Sequence, residues 1–415
     1  MHTARTSSAT ATTISSNALG TSTKFYVEGK LWMLDAANEW AVSGGRLYVW
    51  AADGLSPEGR VWAAPNSNGI VADNSTNISV SGVRIFSAFD GISADTSSGL
   101  HVSDTEIINS ARDGIWASGS KGLTVSTSSV VSSRRNGIDG WFSVTGATIT
   151  NTNVANSGMV GMPSETEAGI MFGDGSANLL DNVTVTNSGY HGISVLHNRN
   201  TTVKNSVVDT ACVTLNDCGG IYTGARDKLA LGLRIEANKV RNIRATQGIA
   251  IYLDDFANGV TVTGNTVTGS TTGVFVHNGF DNVITYNTFS TNTVVHVAFG
   301  QDIGSVRNNT VTNNVFDSEA DVQTFNLQAS PSMRSFATFD YNTYRNQSPV
   351  LFARPGQDGG KQHNGATPAL SGAVKTKYRH RTNDCATSVP VRRPVRDRRC
   401  RGDSWLRTRQ RKYTG

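Results

Sequence analysis

Two adjacent aspartates, Asp254 and Asp255, close an apolar stretch that begins at Ile249, at a point where the sequence predicts a turn. Neighbouring carboxyl groups can divide the work of acid–base catalysis, because the environment raises the pKa of one while the other stays ionised. Such pairs hydrolyse glycosidic bonds at separations of about 5–5.5 Å for retention and about 6.5–9.5 Å for inversion. Aspartate is also a common turn former, and carboxylate oxygens at a turn suit Ca²⁺. Catalysis, a calcium site and a plain turn are therefore the alternatives here.

Other titratable and aromatic residues recur beside similar predicted strands. Histidine changes charge near neutral pH and could act as an acid or a base. A tyrosine near an arginine could supply a phenolic donor and a carboxylate clamp, a pairing that suits elimination at a uronic acid. The catalytic candidates are Asp254, Asp255, His191, Tyr222 and His277, and the substrate-binding candidates are Asp139, Trp141, Glu167, Arg226 and Tyr252. The structural alternatives are a solvated turn for the histidines and packing under a loop for the aromatic residues.

A short repeat carries most of these candidates. It is a Gly-Ile or Gly-Val pair that returns nine times, 22 to 32 residues apart, at Gly69, Gly91, Gly114, Gly137, Gly169, Gly192, Gly220, Gly248 and Gly273. A period in the twenties that tolerates insertions is typical of a solenoid, in which each repeat forms one turn and extra residues form loops.

The residues that follow each pair alternate in character. A strand places successive side chains on opposite faces, so the first apolar residue of each repeat is predicted to point into the solenoid. The predicted internal stack is Ile70, Ile92, Ile115, Ile138, Ile170, Ile193, Ile221, Ile249 and Val274. Strands rich in Val, Ile and Thr, without a long amphipathic segment, exclude a helical repeat.

A second regularity is an asparagine two residues before an apolar residue. Asparagine amides at equivalent places in successive turns can hydrogen-bond to one another, because each carries donors and an acceptor. The predicted asparagine ladder is Asn205, Asn238, Asn265, Asn287 and Asn309. We assign these residues no chemistry.

The repeat pattern over about residues 67–345 resembles the right-handed parallel β-helix of pectate-lyase-like proteins and related carbohydrate-binding and sugar-hydrolysing β-helices. The segment 248–256, followed by 259–265, is similar to a turn common in secreted bacterial β-helix proteins. The resemblance implies an all-β fold, a single-stranded right-handed parallel β-helix solenoid, that acts on polysaccharide. An Asp-Pro-His-Asp motif of mannuronan epimerases is absent from the sequence, and no pectate-lyase calcium cluster aligns.

The predicted organisation has four parts: a disordered segment at 1–22, a strand-rich segment at 23–66, the β-helix at 67–350, and a basic, disordered tail at 351–415. Residues 355–415 hold 15 of the 37 Lys and Arg but 4 of the 32 Asp and Glu, which leaves 22 basic and 28 acidic residues in 1–354. The folded body is therefore mildly acidic, and the overall charge of +5 is no argument for a nucleic-acid partner.

Cysteine usage bears on the compartment. Cys212 and Cys218 bracket a short loop and could form a disulfide, which fits an oxidising compartment, or remain free thiols. The first residues are too polar for a signal peptide or a membrane span. We expect a secreted protein, extracellular or periplasmic, although no signal peptide is seen in this chain.

The favoured function is a secreted polysaccharide-degrading enzyme that hydrolyses glycosidic bonds with paired carboxylates. The alternatives are a lyase or epimerase that acts on uronic acids, and a non-catalytic carbohydrate-binding scaffold, adhesin or phage tail protein. The expected partner is a polysaccharide, with no nucleic acid and no membrane, and the choice between monomer and trimer stays open. Calcium is the one cofactor considered. The fold by itself does not decide among these functions.

Overall fold

The computed structural model describes residues 29–61, 66–160, 167–318, 322–328, 336–345, 352–353 and 377–378. In these residues nearly all regular structure is strand, and three parallel sheets wind along the chain as a right-handed β-helix. A short 3-10 helix, Leu31–Met33, and an antiparallel hairpin, Trp40–Ser43 with Arg46–Val49, precede the first turn. The predicted fold class is confirmed.

Each turn of the β-helix contributes one strand to each of three sheets. Sheet 1 holds Ile70–Val71, Ile92–Ser93, Ile115–Trp116, Ile138–Gly140, Ala168–Gly173, His191–Leu196, Cys218–Thr223, Gly248–Leu253, Thr272–His277, Val295–Gly300, Gln323–Gln328 and Phe352–Ala353. Sheet 2 holds Ser79–Ser81, His101–Ser103, Thr124–Ser126, Thr148–Thr150, Leu179–Asp181, Thr202–Lys204, Arg234–Glu236, Thr261–Thr263, Val283–Thr285, Asn309–Thr312 and Ala337–Asp340. Sheet 3 holds Arg84–Phe86, Glu106–Ile108, Ser129–Val131, Asn153–Ala155, Thr184–Thr186, Val207–Asp209, Lys239–Arg241, Thr266–Thr268, Thr288–Ser290, Val315–Asp317, Thr343–Arg345 and Lys377–Tyr378.

The corners between these strands contain residues in the left-handed conformation. In one turn they are Thr96, Gly99, Asp104 and Asn109, with φ of 53°, 69°, 48° and 59°. Glycine, asparagine and aspartate visit this region at the lowest steric cost. Many of the Gly, Asn and Asp residues of the sequence therefore lie where the chain changes from one sheet to the next, and Ser, Thr, Ala and Tyr occupy other corners.

The internal isoleucine stack is confirmed over most of its length. Residues Ile70 to Ile221 of the predicted stack pair in register from turn to turn, and the stack then continues through Ile251 to Val274. Ile249 was placed wrongly: it pairs with Gly219 and belongs to the cluster on the outside of sheet 1. The reason is that this strand starts two residues earlier, so Gly248 is not the equivalent of the other glycines.

The asparagine ladder exists, but two of its predicted members were wrong. The buried amides of Asn238, Asn265, Asn287, Asn314 and Asn342 bond from turn to turn at 2.9–3.2 Å. Asn205 is instead a left-handed corner residue, φ 51°, and Ser206 takes the ladder position. Asn309 lies in a second column, where its Oδ1 accepts from the Asn282 backbone. Asn205 was selected because it lies two residues before Val207, but Val207 faces outward. The buried residue of this strand is Val208, so the ladder position is Ser206.

The first and last described strands can be compared with the predicted segment boundaries. The hairpin lies inside the predicted strand-rich segment 23–66, whereas the segment 1–22 lies outside the described residues. Phe352–Ala353 and Lys377–Tyr378 pair with strands of sheets 1 and 3, so parallel pairing extends past the predicted boundary at residue 350. The rest of the predicted tail lies outside the described residues. None of the helices in the described part of the chain has the length and apolar character needed to cross a bilayer.

Candidate active site

A cluster of carboxylates around one histidine lies where strands of sheet 1 end. Asp254 and Asp255 follow the strand Gly248–Leu253, and His277 is the last residue of the next strand, Thr272–His277. His277 Nδ1 lies 2.8 Å from Asp254 Oδ1 and 3.6 Å from Asp255 Oδ1. The exposed fractions of the three side chains are 14%, 17% and 23% for Asp254, Asp255 and His277. They converge because strands one turn apart are stacked about 4.8 Å from each other.

Two flanking turns complete this network. His277 Nε2 lies 3.2 Å from Asp302 Oδ1, so both ring nitrogens face carboxylates. Asn278 donates from Nδ2 to Asp302 Oδ1 at 2.7 Å and to Asp255 Oδ1 at 3.2 Å. On the other side, Arg226 Nε lies 3.3 Å from Asp255 Oδ2. The network therefore joins residues from four successive turns of the β-helix.

Two buried tyrosines place their hydroxyl groups among the carboxylates. The Tyr222 hydroxyl donates to Asp254 Oδ2 at 3.0 Å, and the Tyr252 hydroxyl donates to Asp217 Oδ1 at 3.3 Å. Burial raises the pKa of the Tyr252 hydroxyl, and the charges of Asp254 and Asp217 raise it further, so both carboxyl groups lie near this phenol group.

A disulfide holds the loop that carries Asp217. Cys212 and Cys218 are bonded, which decides between the two alternatives open from the sequence. The Cys212 N–H donates to the Tyr190 carbonyl at 2.8 Å, and the Tyr190 hydroxyl donates to the Asp217 carbonyl at 2.9 Å. Asp217 itself has a φ of 55°, a left-handed conformation that aspartate tolerates. The loop is therefore fixed at both ends against sheet 1.

The electrostatic environment lowers the pKa of Asp254 and raises the pKa of Asp217. Burial alone would raise the pKa of Asp254, but the hydrogen bond and charge of His277 and the Tyr222 hydroxyl outweigh it, so the pKa is lowered. Asp217 is exposed, yet partial burial of its carboxyl group, followed by the charge of Asp254, raises its pKa. The hydrogen bond to Asp254 raises the pKa of His277. These shifts favour the ionised forms of Asp254 and His277 and the neutral form of Asp217.

His191 does not reach the protein surface. It is fully buried, its Nδ1 accepts the Gly219 N–H at 3.0 Å, and burial lowers the pKa of the ring to about 3. Its ring lies 4.0 Å from the ring of Tyr222 and starts a row of ring contacts along sheet 1 that runs through Tyr222, Tyr252, Phe275 and His277. The structure supports a packing role under the tyrosines and gives His191 no access to a polymeric substrate.

Three predicted substrate contacts lie away from the cluster. Asp139 is fully buried and bonded to Asn136 and Arg135 at 2.6 and 2.8 Å, and burial raises its pKa to about 7. Glu167 is also fully buried. Trp141 packs against the outer apolar cluster of sheet 1, over Gly173. The two acids therefore sit beneath the surface, whereas Trp141 remains at it.

Asp254, Asp255 and His277 could also hold a divalent cation. Each offers one ligand atom, and these atoms lie within 4.8 Å of one another. A site with an imidazole nitrogen suits a transition metal better than Ca²⁺, which prefers oxygen ligands throughout. The calcium prediction stays a prediction.

Comparison with known proteins decides the family. A family described as the right-handed beta helix region matches residues 38–154, 90–242 and 143–348, which together span well over half of the chain. The chain belongs to the right-handed β-helix family. A comparison with curated proteins finds no significant match.

Solved structures similar to this β-helix protein include tailspikes of the E. coli bacteriophage HK620. A tailspike double mutant in complex with a pentasaccharide shares 11% identity at a TM-score of 0.45, covering 71% of this chain and 57% of that one. The tailspike in complex with a pentasaccharide shares 13% identity at a TM-score of 0.42, covering 70% and 54%. This chain spans little more than half the length of those tailspikes, and the similarity concerns the fold alone.

Sequence reasoning brought four of the five catalytic candidates to one place in this β-helix protein: Asp254, Asp255, Tyr222 and His277. Arg226 and Tyr252 join them. It did not select Asp217, Asn278 and Asp302. The position of Asp217 directly before Cys218 was a usable signal, since a disulfide loop fixes its neighbours. Asn278 and Asp302 carried no signal, because they occur at ordinary turn positions.

Proposed function

We propose that this β-helix protein hydrolyses glycosidic bonds of a polysaccharide at the carboxylate cluster beside sheet 1. The observation that carries the proposal is the pair Asp217 and Asp254, whose carboxyl groups both lie near the Tyr252 hydroxyl and whose pKa values are displaced in opposite directions. Paired carboxyl groups with separated pKa values are the requirement for acid-assisted glycoside cleavage.

In the proposed reaction Asp217 is the general acid and Asp254 the nucleophile. Asp217 gives its proton to the glycosidic oxygen as the bond from that oxygen to the anomeric carbon breaks. Asp254 attacks the anomeric carbon, and a water molecule, deprotonated by the Asp217 carboxylate, then releases the sugar and restores both groups. Retention requires the two carboxyl groups to lie about 5–5.5 Å apart. His277 and Tyr222 hold Asp254 in place.

The charge of the cluster favours hydrolysis over elimination at a uronic acid. Asp254, Asp255 and Asp302 outnumber Arg226 and His277, and Arg226 is already paired with Asp255. A uronate carboxylate at the cleavage position would meet net negative charge, which costs binding energy. The disulfide also supports secretion into an oxidising compartment.

The test is turnover of a polysaccharide panel, scored both for new reducing ends and for the absorbance of an unsaturated uronate product. Asp217→Asn and Asp254→Asn each remove one charge at nearly constant shape. We expect each to lower the rate of reducing-end formation by about a hundredfold or more, the usual worth of a positioned acid or base.

Asp104→Asn is the matched control, because Asp104 is an exposed left-handed corner residue far along the helix from the cluster. It should keep the parental rate. Formation of the unsaturated product would replace the hydrolase assignment by a lyase. Binding of one polysaccharide with no turnover of any would favour the non-catalytic scaffold.

A further inference from the structure

A depression opens beside the carboxylate cluster, at the corner that follows sheet 1. Its volume is about 330 Å³, and its apolar walls are Phe256, Phe280 and Ile303. Lys228 and Arg307 line the same depression. Pockets for small organic ligands begin at about this volume and combine apolar walls with few polar groups. The depression is therefore of a size to take one sugar residue.

Aromatic rings hold the two cations in this depression. Lys228 Nζ lies 4.5 Å from the centre of the Phe256 ring, and the Arg307 guanidinium lies 3.9 Å from that of Phe280. A ring face attracts a cation and restricts its motion. Among the described residues, no carboxylate forms a salt bridge with Lys228 or Arg307. Both positive charges are thus positioned but not neutralised.

The depression and the carboxylate cluster share their supporting residues. Phe256 directly follows Asp255, and Gly304 packs so closely that a Cβ added there would lie 2.5 Å from the Phe256 ring. The Gly304 N–H donates to Asn278 Oδ1 at 3.0 Å, and Asn278 also bonds to Asp255. A substrate chain lying across the cluster would reach the depression without leaving the surface of the same corner.

We propose that this depression binds a sugar residue that carries an anionic group, next to the position where the chain is cut. The inference rests on the proposed function and adds the substrate class: a heteropolysaccharide with an anionic sugar near a neutral one. The anion would lie against Lys228 and Arg307, because an oxyanion beside low-dielectric aromatic walls pairs with a cation more strongly than it does in open solvent. The neutral sugar would lie over the acidic cluster.

The experiment is a binding assay on the full chain with Asp254→Asn, which prevents turnover. Its probe is a glycan array with carboxylated, sulfated and phosphorylated oligosaccharides, in which each carboxylated glycan is paired with its carboxyl-reduced neutral form. We expect anionic members to bind at least about tenfold more tightly than their neutral partners, the worth of a charge-assisted hydrogen bond. Lys228→Gln with Arg307→Gln should abolish this preference. Arg134→Gln with Lys239→Gln, two cations away from the depression, should preserve it.

The arms of the array identify which anionic group is bound. Retention of no anionic glycan, equal retention of both members of each pair, or a preference that survives Lys228→Gln with Arg307→Gln would overturn the inference. The proposed hydrolysis is decided separately, by whether Asp254→Asn stops turnover. If that variant still cuts polysaccharide, the assignment of Asp254 as the nucleophile is wrong. The comparison of anionic with neutral glycans then still tests whether the depression binds an anionic sugar.

Discussion

Replacement of Asn265 by alanine tests the asparagine ladder. The amide of Asn265 is 1% exposed and makes four hydrogen bonds. Its Nδ2 donates to the Ile235 carbonyl at 2.8 Å and to Asn287 Oδ1 at 2.9 Å. Its Oδ1 accepts from the backbone N–H and the Nδ2 of Asn238 at 2.9 and 3.0 Å. Alanine removes all four at once.

The expected loss of stability follows from these contacts. A buried hydrogen bond contributes about 1 kcal/mol net, and a buried donor left without a partner costs about 1–3 kcal/mol. Asn238 keeps a bond from its Nδ2 to the Val203 carbonyl, but its backbone N–H loses the acceptor described here. We expect Asn265→Ala to lower the free energy of unfolding by about 3–5 kcal/mol, at the upper end for a single substitution.

Equilibrium denaturation by urea, followed by far-ultraviolet circular dichroism, measures this change. Asn205→Gly is the matched control: Asn205 is an exposed corner residue whose left-handed backbone glycine adopts freely. It loses one exposed hydrogen bond, from its Nδ2 to Asp181, and should cost under about 1 kcal/mol. A loss below about 1 kcal/mol for Asn265→Ala, or an equal loss for Asn205→Gly, would refute the assigned register of the ladder.

Three further outcomes are expected. The pKa of Asp217 is raised and the proposed reaction uses its neutral form, so turnover should fall as pH rises through that pKa, and Asp217→Asn should remove this dependence from the pH profile. The pKa of His277 is raised in the folded state, so its contact with Asp254 should contribute fully to stability below the unfolded-state pKa of about 6.5. This contribution should be lost as pH rises through the raised folded-state pKa. A His277→Gln variant with the same dependence of stability on pH would contradict this. Reduction of the bond between Cys212 and Cys218 should cost about 2 kcal/mol for so short a loop and lower kcat further than that loss explains, because Asp217 is released. Unchanged kcat after reduction, checked by thiol titration, would show that the loop is held without it.

The candidate site shows where sequence reasoning stopped. Asp254 and Asp255 were visible because an acidic pair ends an apolar strand, and strand stacking then brought His277 to them. The sequence did not predict which of these residues are buried. Histidine is a common catalytic residue, but the aromatic rings around His191 exclude solvent, and burial lowers its pKa. Polar residues at a strand end look alike in the sequence whether the next loop covers them or leaves them open.

The repeat could be read from the sequence, because the strands of each turn bury apolar residues and many of its corners are Gly, Asn or Asp. The repeat spacing and the resemblance to known β-helices predicted the fold, and alternation predicted the stack from Ile70 to Ile221. Tertiary structure decided the register within a turn. Ile249 and Ile251 are equally apolar and two residues apart, so alternation cannot choose between them, whereas hydrogen bonding to the neighbouring turns places Ile251 inside. The same holds for Asp217, whose part in the site depends on a loop from one turn meeting a tyrosine of the next.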